Sequence, residues 1–295
     1  RDKEGILWIG TQQGLHRFDG ATVTVFNANA ENRHWIPDSE IKDITDDTDG
    51  NVLVATASGV VLRWNRQAER FDSLSPFENR DGTRLVSLVV ASTGDIWVLT
   101  KHGLTLYDPR FNNTAEWVNQ PRLIEIVGRP QAIVEDELGN IWVGGTLGLA
   151  IIDLRAKAIA SFNLATVGLS KNSSITALAK NGSSLIIGTS TGDLAVSDLN
   201  TKEPQVNILV NENDIGYISA LLMYEDLLII GSDRGIFASD SHLAFLENLG
   251  DKAPGPSNHE ISCLFQDGKS VLVGTINGLD TLSFSPFELF DFNNS

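Results

Sequence analysis

The chain has 295 residues, with 38 acidic against 22 basic side chains and a formal charge of −16. That surplus of negative charge repels nucleic-acid phosphates and anionic lipid headgroups, so neither is expected as a partner. Hydrophobic residues make up 42%, with six Trp and thirteen Phe, which excludes a disordered chain, and the single cysteine excludes an intrachain disulfide and a Cys-built zinc site.

Taken from the N-terminus, the sequence repeats. The first unit opens on a turn in which Asp2 stands three residues before Gly5, the spacing of a type I turn. A strand bearing Trp8 follows, then a tight turn marked by Gly14, a strand ending near Phe18-Asp19, and a more polar strand from Val23 to Phe26. The second unit begins one strand earlier, at Ile41 and Ile44. It then runs through the Asp47 to Gly50 turn, Leu53, the marker Gly59 and an outer strand from Phe71 to Leu74. The third carries Leu85, Leu88, Trp97, Gly103 and Tyr107-Asp108. The fourth carries Ile133, the Asp136 to Gly139 turn, Trp142, Gly148 and Ile152-Asp153. Units five and six replace the Trp by Ile186 and Ile229, around markers Gly192 and Gly235, with Ile175, Leu178, Ile218 and Leu221 ahead of them. The seventh has Ile261, Leu264, Leu272 and Gly278, and an outer strand from Phe287 to Phe290.

Seven units, their marker glycines 43–45 residues apart from Gly14 to Gly278 and each reading as four short antiparallel strands, predict an all-β fold. It is a seven-bladed β-propeller occupying residues 1–295 as a single domain. No stretch sustains helical periodicity, so helices should be almost absent. The first blade lacks its innermost strand. Seven complete blades therefore take about ten further residues upstream, at the usual strand and turn lengths. A longer native chain or a longer array of blades would supply them. No run reaches the roughly 18 apolar residues of a membrane helix, and Arg1 to Glu4 lack the apolar core of a secretory leader.

The phrases Asp2-Lys-Glu-Gly-Ile-Leu-Trp-Ile-Gly-Thr-Gln-Gln-Gly-Leu-His-Arg-Phe-Asp19 and Glu137-Leu-Gly-Asn-Ile-Trp-Val-Gly-Gly-Thr-Leu-Gly-Leu149 resemble the two-component regulator propeller repeat. The resemblance covers essentially the whole chain. It implies a periplasmic sensor region of an inner-membrane bacterial signalling protein, working as a homodimer. Members of that family continue into a small β-sandwich, a membrane helix and a cytoplasmic histidine kinase, diguanylate cyclase or transcription-factor output, and often carry two consecutive propellers. Contact with the membrane is then expected only through segments outside this chain. The family motif is structural and transfers no binding residues.

Catalytic motifs were weighed and set aside. Asp46 to Asn51 has half the acids of a calcium loop, but Thr56 stands where that loop needs a bidentate Glu. Gly268-Lys269-Ser270 lacks the upstream glycine of a phosphate loop, and His259-Glu260 has no second His four residues on. No metal and no cofactor is expected. Function in such a ring belongs to its loops. Turns between second and third strands offer His102 and Arg234, and the connections between blades offer Trp35, Arg84, Arg129, Tyr217 and His259. Aromatic, His and Arg side chains around a funnel suit a small polar ligand or oligosaccharide. The expected function is ligand sensing without catalysis. The alternatives are a saccharide lyase or hydrolase using His259, Glu260 or Tyr217, and a protein-interaction scaffold.

Overall fold

The computed structural model describes residues 1–74, 84–108, 113–115, 120–153, 158–163, 169, 172–198, 206–210, 215–240, 243–251 and 260–284. They form seven antiparallel sheets in chain order. The first has three strands, Leu7–Gly10, Leu15–Phe18 and Val23–Phe26. The second has four, Ile41–Asp46, Val52–Thr56, Val61–Asn65 and Arg70–Ser73. The third to sixth also have four, and their innermost strands are Leu85–Val90, Pro130–Glu135, Ile175–Asn181 and Ile218–Tyr224. The seventh has Ile261–Asp267, Ser270–Thr275 and Gly278–Ser283. The outer strand expected at Phe287 to Phe290 lies outside the described residues. From the second sheet to the seventh, each innermost strand touches the next in order.

Local chemistry accounts for the repeating columns. Gly5, Gly50 and Gly139 donate their amides to the carbonyls of Asp2, Asp47 and Asp136, closing the first-to-second-strand turns. The Thr or Ser three residues before the marker glycine closes the next turn. Its hydroxyl donates to the marker's carbonyl in Thr11–Gly14, Thr100–Gly103, Ser232–Gly235 and Thr275–Gly278. The same oxygen accepts the amide of Gln13, His102, Arg234 and Asn277. Gly14 sits at φ +152°, and a Cβ there would lie 2.6 Å from the carbonyl oxygen of Phe26, so no other residue fits.

The large apolar column fills the space between sheets. Trp97 and Trp142 are fully buried, as are Leu53, Ile186 and Ile229 in the same register. The core is accordingly a chain of clusters, each shared by two adjacent sheets, rather than one central mass. Every innermost strand also carries a register shift after its first residue, as between Ile175 and Ala177 or Ile218 and Ala220. A bulge at that place re-aims one side chain towards the neighbouring sheet.

Among the described residues one α-helix, α1 (Gln120–Val127), and one 3-10 turn, Leu249–Asp251, interrupt the strands of a chain expected to have almost no helix. Leu123 and Val127, one turn apart, are fully buried against the fourth sheet. Pro121 suits the first turn, and Gly128 at φ +68° closes the last, donating its amide to Ile124. Eight residues are too few to show a sustained period, so the helix is legible only from its two ends.

Candidate functional site

One residue before each innermost strand, the chain crosses from one sheet to the next. Those six positions hold Glu40, Arg84, Arg129, Ser174, Tyr217 and Glu260. Each carbonyl accepts a backbone amide from the second-to-third-strand turn of its own sheet: Ala57, Lys101, Thr146, Ser190, Asp233 and Ile276 respectively. The connections between sheets and the marker turns are therefore tied together at one end of the molecule. The second-sheet connection is also held from the first, because Ile41 donates its amide to Thr11 at 2.9 Å. The backbone of this rim is fixed, while Arg84, Arg129, Tyr217 and Glu260 are exposed and Glu40 and Ser174 are partly buried.

Around the rim the chemistry alternates. Arg84 reaches across to Glu40, with its terminal nitrogen 2.9 and 3.0 Å from the two carboxylate oxygens. Lys42 holds the same carboxylate at 2.5 Å. Exposed Lys101 and His102 stand in the turn beside Arg84. Arg129 is exposed, its amide donating to the Thr146 hydroxyl at 2.9 Å, and its guanidinium has no ion-pair partner among the described residues. Across the rim, Tyr217 is 43% exposed and its amide donates to the Asp233 carboxylate at 2.8 Å. Partial burial, then the nearby Glu260 charge, pushes the Tyr217 phenol above its ordinary value, so it stays protonated and available as a donor. The Arg234 methylenes lie close over Gly216, which puts Arg234 beside Tyr217 and Asp233. This arrangement offers a phenol, an imidazole, carboxylates and two guanidiniums, those of Arg129 and Arg234, without an ion-pair partner among the described residues.

Of the residues expected from sequence, Arg84, Arg129 and Tyr217 occupy equivalent rim positions, and His102 and Arg234 stand in the turns tied to them. Trp35 stands apart. The chain from Asn27 loops outward and returns, bridging Asn27 to Trp35, so the indole lies over the outer half of the second sheet. There it lines a shallow cavity of about 280 Å³ with Pro37, Val60, Leu62 and Phe71. His259 lies outside the described residues. Sequence reasoning missed Glu40 and Ser174. The signal was present, since both directly precede an isoleucine in register with Arg84, Arg129 and Tyr217. Among the described residues no three His, Cys, Asp or Glu side chains gather as a metal site would require. Among the same residues, no helix is long and apolar enough to cross a membrane.

No family model matches the sequence, and no curated protein matches it. Solved structures do match. The extracellular domain described as that of hybrid two component system BT3049 from B. thetaiotaomicron superposes with a TM-score of 0.76 at 20% identity. The match covers 97% of this chain and 39% of that one. The corresponding domain of BT4673 from the same organism gives 0.75 at 16% identity, over 96% of this chain and 39% of that one. Virginiamycin B lyase from Staphylococcus aureus gives 0.74 at 13% identity, over 96% and 92%. The chain thus spans about two-fifths of the length of the two-component structures. At these identities the likeness establishes the fold, a β-propeller.

Proposed function

We propose that residues 1–295 form one seven-bladed propeller that senses a ligand outside the cytoplasm for a membrane-bound bacterial signalling protein. The ligand is a small polar molecule or oligosaccharide, held at the rim. The observation that carries this reading is the ring of equivalent positions from Glu40 to Glu260, with a fixed backbone and side chains of mixed charge, four of the six exposed. A ligand bridging two or more of these positions prefers one spacing between blades. It thereby biases the arrangement of two subunits and of an attached histidine kinase or diguanylate cyclase. The fold shared with extracellular domains of two component systems supports the setting. Arg129 and Arg234, without an ion-pair partner among the described residues, favour a ligand with an acidic group.

Titration calorimetry against neutral and acidic oligosaccharides tests the reading. Binding that is lost in an Arg129→Ala, Arg234→Ala double variant of unchanged thermal midpoint supports it. Absence of heat with the whole panel overturns it.

A second reading, a lyase, has one observation in its favour: virginiamycin B lyase matches over nearly its whole length. The pairs within hydrogen-bond reach on the described rim are the ion pairs that Glu40 makes with Arg84 and Lys42, and the raised Tyr217 phenol is a poor base. Unchanged virginiamycin B after prolonged incubation, followed by chromatography, would reject this alternative.

A further inference from the structure

Neighbouring sheets are fastened at the rim end by two small devices. In the first, an isoleucine opening one innermost strand lays its Cγ2 over a glycine in the second strand of the preceding sheet. Ile175 does so over Gly144, Ile218 over Gly188 and Ile261 over Gly231. In the second, the bulged residue that follows the opening one sends its hydroxyl between two carbonyls. Thr176 lies 3.3 Å from the Gly188 oxygen of its own sheet and also donates to Ile218 of the next. Ser219 treats Gly231 and Ile261 in the same way. Such bonds have a set length and direction, so they fix the spacing of the two sheets.

The seam between the third and fourth sheets is built differently. Leu99 stands in the place of the glycine, Pro130 in that of the isoleucine and Val86 in that of the hydroxyl. An apolar cluster joins the sheets there. Leu99, Ile133 and Val143 share it with Leu123 and Val127 of α1, and Val86 packs against it. Apolar contact is non-directional and tolerates sliding. The opposite end of the seam is pinned, because the Glu135 carboxylate accepts the Ser92 amide at 2.8 Å and the Ser92 hydroxyl at 2.9 Å. The seam between the second and third sheets also departs from the two devices, with Ala55 and Lys42 in their places, but it has a substitute. There the Asp43 carboxylate accepts the Ser87 hydroxyl at 2.7 Å and the Leu88 amide at 2.9 Å.

The two lips of the loose end carry like charge. Arg84, with Lys101 in the turn tied to it, stands on the third sheet, and Arg129 stands on the fourth. Arg84 and Arg129 hold equivalent positions one sheet apart. The same step separates Glu40 from Arg84, and those two side chains meet at 2.9 Å. A group placed between Arg84 and Arg129 is therefore within reach of both.

We infer that the acidic group of the ligand binds across this seam, between Arg84 and Arg129 with Lys101 beside them, and draws the third and fourth sheets together about the Ser92–Glu135 end. The inference rests on the sensing reading above and adds to it the ligand's place and the part that moves. Without an anion, repulsion between the lips favours the wider spacing. An oxyanion replaces that repulsion by charge-assisted hydrogen bonds to both lips, so it binds the narrower spacing more tightly and shifts the population towards it. The fifth to seventh sheets, fastened by both devices, keep their spacing throughout.

Two pairs of spin labels at equivalent positions in a Cys263→Ser background test this. His102→Cys with Leu147→Cys spans the loose seam, and Thr191→Cys with Arg234→Cys spans the fastened seam of the fifth and sixth sheets. Without ligand, the distance distribution of the 102–147 pair should be about twice as broad as that of the 191–234 pair. Val86→Thr supplies the missing hydroxyl and should narrow it, and so should saturating hexagalacturonate. Val86 lies beneath the lips, yet Val86→Thr should tighten hexagalacturonate binding about threefold in calorimetry, because less of the population has still to close. Arg129→Ala should abolish the narrowing by ligand. Equal widths for the two pairs without ligand overturn the inference, as does hexagalacturonate that binds and leaves the 102–147 distribution broad. Absence of heat from the whole oligosaccharide panel, with the 102–147 pair still broad, overturns the sensing reading and the ligand's place while upholding the loose seam, so the two failures are told apart.

Discussion

The Asp136 carboxylate accepts the indole N–H of Trp142 at 2.9 Å, six residues along the same hairpin. Asp2 receives Trp8 in the same way at 3.1 Å. The other oxygen of each carboxylate accepts turn amides, from Leu138 and Asn140 in one and from Glu4 and Ile6 in the other. In the third sheet Ala91 stands where these aspartates stand, and there the buried Trp97 indole nitrogen has no partner among the described residues. One side chain thus decides whether a core tryptophan is satisfied.

Asp136→Ala leaves the Trp142 donor and two turn amides without their acceptor. It should cost about 2–4 kcal/mol in urea unfolding, the range for buried groups stripped of a charged partner. Ala91→Asp should gain about 1 kcal/mol by supplying the missing acceptor to Trp97. Trp142→Phe should cost more than Trp97→Phe, and equal losses would show that the bond to Asp136 contributes nothing.

Gly188→Val drives a branched side chain into Cγ2 of Ile218, which a Cβ alone would meet at 2.6 Å. Both strands are anchored, so the clash cannot relax cheaply. The expected loss is about 3 kcal/mol, at the upper end for overpacking. The double variant with Ile218→Ala should recover part of it. No recovery would mean that the two positions do not meet.

Asp43 gives a pH dependence with a definite sign. Burial raises its carboxyl above the ordinary value, opposed by hydrogen bonds from the Leu88 amide, the Ser87 hydroxyl and the Ile44 amide. Between the unfolded value, about 3.9, and the raised folded value, the folded chain binds more protons than the unfolded one. Stability from this group is therefore fullest at acid pH and falls as pH rises through that window. Asp43→Asn should be stabilised relative to the parent at pH 7, with the advantage shrinking towards pH 4. A difference that stays constant between those two pH values would assign the effect to something other than ionisation.

At the rim, Glu40→Gln breaks the ion pair to Arg84. Exposed pairs of this kind are worth about 0–1 kcal/mol, so the thermal midpoint should barely move. Affinity for an acidic ligand should rise severalfold, because Arg84 is released from its carboxylate. A midpoint drop of many degrees would recast Glu40 as part of the framework.

Much of the architecture could be read from the residues because the framework uses few, strict parts. The marker glycine at Gly14, the Thr11 type of turn closure and the Trp142 type of core plug each have one steric or hydrogen-bonding solution, and they recur at a fixed spacing. Helix α1 escaped because its core-packed residues, Leu123, Ile126 and Val127, span little more than one turn, too short a run to stand out as a period. Trp35 stands apart from the rim because a loop's sequence does not state which way it folds back, and here the Asn27–Trp35 bridge sets it beside Leu62 and Phe71 of the second sheet. Glu40 and Ser174 escaped for the opposite reason: they belong to a regular column whose chemistry changes at every copy, so a search for shared residue types passes over them.

That variability has a consequence. Each rim residue is flanked by backbone bonds that do not depend on its side chain. Glutamate, arginine, serine and tyrosine accordingly occupy one geometric position held by the same backbone bonds. Under the proposed function, point changes at these six addresses retune what is bound, leaving the folding problem solved once for all of them.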